Sequence, residues 1–223
     1  LDSVAAAGQL SEAAREAQVE VGVLTEADVG LNRVGVAPGE ELVQLAQCVA
    51  SLPNLKFEGI TFYPGHIRDS GERGMAQLAE LRAAIRRMLD DLERAALPVS
   101  VVSGGSTPSL YHSHELPGLT EIRPGTYIYN DINTVRSGAC ELADCAAAVL
   151  VTVVSTARKG QMIVDGGSKT FSSDRTVEAG ETTFGRVVEA PEARFRNMNE
   201  EHGYVDISRS EEHTSELQSL SHL

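Results

Sequence analysis

The chain has 223 residues, 42% of them hydrophobic, 23% charged and 4% aromatic, with no tryptophan; this suits one folded domain or slightly more, with an aliphatic core, and not a disordered segment. A formal net charge of −13 argues against nucleic acid or an anionic membrane as a partner, since both reward a basic face. No apolar run is long enough for a membrane-spanning helix, no basic-then-apolar leader opens the sequence, and the 3 cysteines, Cys48, Cys140 and Cys145, form no C-x-x-C pair, so a reducing cytoplasm is the expected setting.

The sequence begins at Leu1, not at Met, and enters a helix-like stretch directly, Ser3 to Gln18. Val21 to Val29 is a short apolar run next to glycine and reads as a buried strand. Pro38 to Leu52 carries Leu42, Val43, Leu45, Ala46 and Val49 at helical spacing and stops at Pro53-Asn54. Phe57 to Tyr63 is the next strand. Asp69 to Leu97 forms a long amphipathic helix through Leu78, Leu81, Ile85, Met88 and Leu92, ended by Pro98. Val99 to Val102 returns to strand and breaks at Ser103-Gly104-Gly105-Ser106, and one more strand is predicted around Tyr127 to Tyr129. Alternating strands and helices imply parallel β/α units, so the predicted fold is α/β, the C-terminal part of a (β/α)8 barrel over residues 1–142.

From residue 143 to 208 the pattern changes to β-branched runs, Val149 to Thr156, Gln161 to Asp165, Arg186 to Glu189 and Tyr204 to Ile207, which predict a small β domain. The segment Arg209 to Ser219, RSEEHTSELQS, looks like the in-frame translation of a sequencing adapter. Residues 209–223, with His213 and His222, are therefore expected to be a non-native tail that has replaced the end of the domain.

In parallel β/α folds chemistry collects where the strands end. Asp28, Asn32 and Arg33 follow the first strand, Tyr63 and His66 the second, Ser103 to Thr107 the third, and Arg123 to Tyr127 the last. The glycine-rich hydroxyl loops SGGST and RPGTY offer backbone N–H donors of the kind a phosphate needs, or are simply turns. Arg33 is either a site residue or a surface partner of Asp28 or Glu26. His66 and His202 are candidate general bases or plain loop hydrogen-bonders. His112 and His114 form a possible metal pair with no cysteine near it. Lysine occurs only at Lys56, Lys159 and Lys169.

Taken in order, ADVGLNRVGV, GITFYPGH, SGGSTPS, TEIRPGTYIYND, VVSTARKGQMIVDGGSKTFSSD and EEHG resemble the fold-type III pyridoxal-phosphate enzymes. Within them the chain is similar to the D-threonine aldolase and eukaryotic-type D-serine dehydratase group, with alanine racemase a more distant relative; the resemblance covers about residues 1–208.

The resemblance implies that Arg33 contacts the phenolic oxygen of pyridoxal phosphate and that Tyr63 stacks on its pyridine ring. Gly104, Gly105, Ser106 and Thr107 would hold the phosphate together with Gly125 and Thr126. Arg123 would face the pyridine nitrogen, where a permanently charged guanidinium keeps that nitrogen unprotonated. It also implies a Schiff-base lysine on an earlier strand, which Lys56 does not replace, and a divalent metal (Mn, Mg or Zn) whose ligands would lie beyond Ser208. The expected parent is a cytoplasmic homodimer, a metal-assisted lyase that cleaves D-threonine-like β-hydroxy amino acids to glycine and an aldehyde, and the chain by itself is expected to be inactive. Alternatives are a D-serine dehydratase, a racemase using Tyr204, and a non-catalytic carrier of the cofactor.

Overall fold

The computed structural model describes residues 1–178 and 180–209. The chain separates into two compact units, residues 1–128 with 134–141, and residues 129–133 with 142 onward.

The first unit opens with helix α1, Val4–Ala17, whose N-cap Ser3 accepts the Ala6 N–H at 3.2 Å, satisfying one of the donors a helix start leaves free. Strand β1, Val21–Ala27, leads to α2, Glu40–Ser51, whose first turn carries Glu40 and Glu41 at the positive end of the helix dipole. Strand β2, Leu55–Phe62, precedes α3, Glu72–Arg94. The order closes with β3, Val101–Gly104, and a two-residue β4, Glu121–Ile122. The strands pair in the order β1-β2-β3-β4 and every pair is parallel. Their carboxyl ends therefore share one edge. Leu1 hydrogen-bonds along the free side of β1, its amino group to Leu24 O at 2.8 Å and its carbonyl to Glu26 N–H at 2.8 Å.

One face of this sheet is sealed by the helices. Val23 and Ala27 of β1 and Ile60 and Phe62 of β2 pack with Leu42, Ala46 and Val49 of α2 and with Leu78, Leu81, Ile85, Met88 and Leu92 of α3. Each of the larger side chains contributes about 1.5–3 kcal/mol by leaving water, and each alanine methyl about 0.8 kcal/mol. The opposite face, carrying Leu24, Glu26, Glu58 and Thr61, is only half-buried.

Most element positions match the periodicity; the differences have local causes. The helix expected from Asp69 starts at Glu72, because the Asp69 carboxylate accepts the Gly71 N–H at 2.9 Å and holds the entry as a turn. It ends at Arg94, since Ala96 turns into left-handed backbone ahead of Pro98. Lys56 lies within β2, as its second residue, and does not precede the strand. The strand expected at Tyr127 to Tyr129 is absent. Thr126–Ile128 is a 3-10 turn after Pro124-Gly125, Tyr127, Ile128 and Tyr129 are exposed, and the fourth strand is Glu121–Ile122 instead.

The second unit is antiparallel. Strands β5, Val153–Ser155, and β6, Gln161–Val164, are followed by a hairpin of β7, Thr176–Glu178, with β8, Glu181–Thr183. Strands β9, Arg194–Met198, and β10, Gly203–Asp206, complete a sheet ordered β5-β6-β10-β9. Its core joins Met162, Val164, Ala193, Phe195, Val205 and Ile207, with the Phe171 ring edge-on to Phe195 at 4.9 Å. The strand expected at Arg186 to Glu189 is irregular backbone; β7, β8 and β9 occur where none was predicted. The proposed tail is outside the described residues from Ser210 onward, His213 and His222 included.

Two carboxylates in this unit sit below the ordinary aspartate range. Asp206 is held down chiefly by the Ser208 N–H, 2.9 Å away, with Arg196 also near. Asp165 is lowered chiefly by the Thr152 N–H, at 2.6 Å. A carboxylate whose folded pKa is depressed contributes stability above its unfolded value, about 3.9, and loses it as pH falls through the folded one. Thermal melts should therefore be flat above about pH 5 and fall below about pH 4, with Asp206→Asn showing a shallower acid drop. A midpoint unchanged into the acid range would contradict this.

Candidate cofactor site at the carboxyl edge of the parallel sheet

Four connections leave the carboxyl edge of the first sheet, and each delivers polar groups to it. After β1 the chain makes an excursion from Asp28 to Val36 that closes on itself: Asp28 N–H donates to Val36 O and Val36 N–H to Glu26 O, both at 2.9 Å. The Asp28 carboxylate fills this loop, accepting from Gly30 N–H at 2.9 Å and Asn32 N–H at 3.1 Å. Those donors, Gly30 foremost, hold Asp28 below the ordinary range, with His66 adding a favourable charge. Arg33 forms no ion pair with Asp28 or Glu26; its guanidinium lies 4.8 Å from the centre of the Tyr63 ring, close enough for a cation–π contact. Glu26, Asp28, Leu31, Arg33, Val34 and Tyr63 line a small depression.

After β2, Tyr63 is 36% exposed, so part of its ring remains available to a flat ligand. His66 packs against Gly30, where an added Cβ would stand 3.2 Å from its ring, and its Nδ1 is buried with no hydrogen-bond partner.

After β3 the loop closes through serines. Gly104 is the last residue of the strand, so close to Phe62 that a Cβ would meet the ring at 2.4 Å. Ser106 N–H donates to Ser109 Oγ at 3.3 Å and the two hydroxyls lie 3.1 Å apart. Ser103, Ser106, Thr107, Ser109 and Ser113 are all buried. Buried hydroxyls persist only when hydrogen-bonded, and a loop so constrained presents its donors in one conformation. Ser109 was not among the expected phosphate residues.

After β4, Arg123 reaches back across the sheet. Its Nη2 donates to Thr61 Oγ1 at 2.7 Å and to Phe62 O at 3.0 Å, while its N–H donates to Gly104 O at 3.1 Å. One residue thus joins the ends of β2, β3 and β4. Gly125 and Thr126 follow it, exposed. Thr61 also went unnoticed in the sequence; its position two residues before Tyr63 on a strand was the available signal.

The arrangement fits an anionic, flat, phosphorylated group. It offers two guanidinium groups, one accessible aromatic ring, an unpartnered imidazole nitrogen and a rigid glycine–serine loop on one sheet edge. The first unit brings no lysine amine to it for covalent attachment. Lys56 stands at the amino end of β2 and pairs with Glu58 at 3.1 Å, a strand length of about 20 Å from that edge. Lys159 and Lys169 belong to the second unit, and Lys169 pairs with Glu201.

The remaining candidates have their own local settings. His202 occupies the turn between β9 and β10, its N–H donating to Asn199 Oδ1 at 2.7 Å, and belongs to the second unit, not to the one that holds His66. His112 is 2.9 Å from Glu115, which also pairs with Arg82 at 2.7 Å; this is a surface ion-pair network. Among the described residues no group of three histidine, cysteine or acidic side chains is placed to hold a metal ion.

Comparison with known proteins agrees with this geometry. The family described as alanine racemase, N-terminal domain, matches residues 1–132, and a serine dehydratase domain family matches residues 146–220. The 3-hydroxy-D-aspartate aldolase of Paracoccus denitrificans (strain Pd 1222) is 31% identical over 92% of this chain and 54% of its own length. The D-threo-3-hydroxyaspartate dehydratase of Delftia sp. (strain HT23) is 32% identical over 92% of this chain and 57% of its own; a variant of it has been solved in a metal-free form. The crystal structure of D-threonine aldolase from Filomicrobium marinum superposes with a TM-score of 0.79 at 26% identity, covering 93% of this chain and 56% of that one. The chain spans about half the length of the curated relatives it matches. By sequence match and by fold, a parallel β/α sheet followed by a β domain, the chain belongs to the alanine racemase N-terminal domain family, the barrel family of the fold-type III pyridoxal-phosphate enzymes.

Proposed function

We propose that this chain carries the cofactor-binding face of a pyridoxal-phosphate-dependent lyase acting on D-configured β-hydroxy amino acids, cleaving a D-threonine-like substrate to glycine and an aldehyde. The observation that carries the reading is the convergence of Arg33, Tyr63, Arg123 and the glycine–serine loop on one sheet edge, in a chain whose relatives are aldolases and dehydratases of such substrates. Bound there, pyridoxal phosphate supplies the sink for the electron pair left at Cα when the Cα–Cβ bond breaks.

The chain's own residues bind and orient. The loop from Gly105 to Thr107, with Gly125 and Thr126, would hold the phosphate through N–H and hydroxyl donors. Tyr63 would give its ring face to the pyridine. Arg33 would meet the phenolic oxygen and Arg123 the pyridine nitrogen, each as a donor that never loses its proton. The buried His66 Nδ1 has no hydrogen-bond partner, which supports a role for this histidine beside the ligand. The first unit brings no lysine to this edge, Lys56 being paired with Glu58 at the far end of β2, and among the described residues no three metal-ligating side chains are grouped. A divalent metal in the whole protein is supported by the metal-free form solved for the Delftia dehydratase. We extend the reading to a homodimer, on the precedent of the family, and to a cytoplasmic setting, which the acidic charge and sparse cysteines support.

A second reading, elimination of the β-hydroxyl to give a keto acid and ammonia, is favoured by the serine dehydratase match over residues 146–220. The products decide. The whole protein, given pyridoxal phosphate and Mn²⁺, is expected to release glycine and acetaldehyde from D-threonine. Pyruvate and ammonia from D-serine, with no glycine from D-threonine, would replace the aldolase with the dehydratase. Racemisation that survives a chelator would overturn both.

A further inference from the structure

We propose that Asp28 is the positioning residue that holds Arg33 over the Tyr63 ring. The proposal rests on the cofactor reading above and extends it to a residue that this reading leaves without a role.

Arg33 is on a surface loop with nothing of its own to fix it. The loop leaves the sheet at Asp28 and rejoins it at Val36, where the Ala27–Val36 bridge and the two backbone hydrogen bonds close its neck. Gly35 makes the neck possible: at φ +99°, an added Cβ would stand 2.5 Å from Asp28 N. Gly35 N–H also donates to Asp2 Oδ2 at 3.4 Å, but between neck and tip Asp28 is the side chain that accepts two backbone donors. Asp28 Oδ1 accepts from both Gly30 N–H and Asn32 N–H, and Asn32 Nδ2 closes the turn on Gly30 O at 3.3 Å. Asn32, the residue before Arg33, has left-handed backbone at φ +57°, a conformation that asparagine tolerates but that still needs support. Holding the Asn32 N–H therefore sets the direction in which the chain presents Arg33, and with it the 4.8 Å approach to Tyr63. The carboxylate's other neighbour, the His66 ring against Gly30, ties the same loop to the connection after β2.

The test uses the 223-residue chain, its Asp28→Ala and Asp28→Asn variants, and Arg33→Ala in both the wild-type and Asp28→Ala backgrounds. The first readout is the ring-current shift of the Arg33 side-chain protons by NMR, which reports the guanidinium over Tyr63 and needs no cofactor. The upfield shift is expected in wild type, lost in Asp28→Ala and retained in Asp28→Asn, which keeps the accepting oxygen. Thermal midpoints should stay close together, since only an exposed loop changes. The second readout is the dissociation constant of pyridoxal 5′-phosphate. Asp28→Ala should weaken binding about tenfold, and the same change should cost almost nothing once Arg33 is already alanine, because residues acting through one another are not additive.

An Arg33 shift that persists in Asp28→Ala, or equal losses in both backgrounds, overturns the positioning role. Absence of pyridoxal-phosphate binding in wild type, with the shift behaving as expected, overturns the cofactor reading and leaves the positioning role standing.

Discussion

Replacing Gly59 with alanine is expected to destabilise the first unit by about 4 kcal/mol or more and to remove the cooperative melt of the parallel sheet. Gly59 lies in the middle of β2 at φ +150°, and an added Cβ would stand 1.9 Å from the Val101 carbonyl oxygen and 2.9 Å from its carbon. Those are backbone atoms of a paired strand, so they cannot yield as a side-chain end would. The position also matters for the site. Val23 pairs with Phe57 and Leu24 with Gly59, leaving Glu58 unpaired as a bulge. Before the bulge the helix-facing residues of β2 are Leu55 and Phe57; after it they are Ile60 and Phe62. The extra residue reverses the alternation and places Thr61 and Tyr63 on the open face. Urea unfolding of Gly59→Ala beside wild type measures the loss. A midpoint within experimental scatter of wild type would show that the sheet can open at β3, contrary to this account.

Replacing Arg123 with alanine should lower pyridoxal-phosphate affinity ten- to a hundredfold, by about 1.5–3 kcal/mol for a charged donor lost. The cost to stability should stay near or below about 1 kcal/mol, because the side chain is exposed and water can replace it. Under the proposed reading Arg123 would serve the site twice, as a donor to the ligand and through the side-chain bonds to Thr61 Oγ1 and Phe62 O, while its backbone N–H keeps Gly104 O in every variant. Lysine has neither the planar fork nor the reach to serve both Thr61 and Phe62, so Arg123→Lys is expected to recover only part of the affinity. Thr61→Val removes one of the anchors and should cost less than either. Titrations of the three variants followed by cofactor absorbance check the order. Full affinity in Arg123→Ala would remove this residue from the site.

The helices and the parallel strands were legible because burying one face imposes a period. Leu78, Leu81, Ile85, Met88 and Leu92 recur at helical spacing and all turn out buried. The misread elements have no such period. Tyr127, Ile128 and Tyr129 have strand-like composition, yet they follow a Pro-Gly turn and pack against little, so a single 3-10 turn suffices. Strand β9, RFRNM, offers two large apolar residues, Phe195 and Met198, with no period of two between them, and its pairing with β10 and the rings of Phe171 and Phe184 closing on Phe195 make it a strand.

By itself the sequence determined the kind of fold, the order of elements from α1 to β3, and the loops that carry the candidate cofactor residues, since all of these follow from local periodicity and from glycine- and proline-bounded strand ends. It also determined that lysine is confined to positions 56, 159 and 169. Only the tertiary structure decided that Arg33 faces Tyr63 and not an acidic neighbour, that Arg123 bridges to β2, that Ser109 locks the glycine–serine loop, and that His66 and His202 belong to separate units. The physical reason is clearest at Glu58 and Gly59. One unpaired residue reverses a period of two, and which residue goes unpaired depends on the neighbouring strands, not on any propensity within β2.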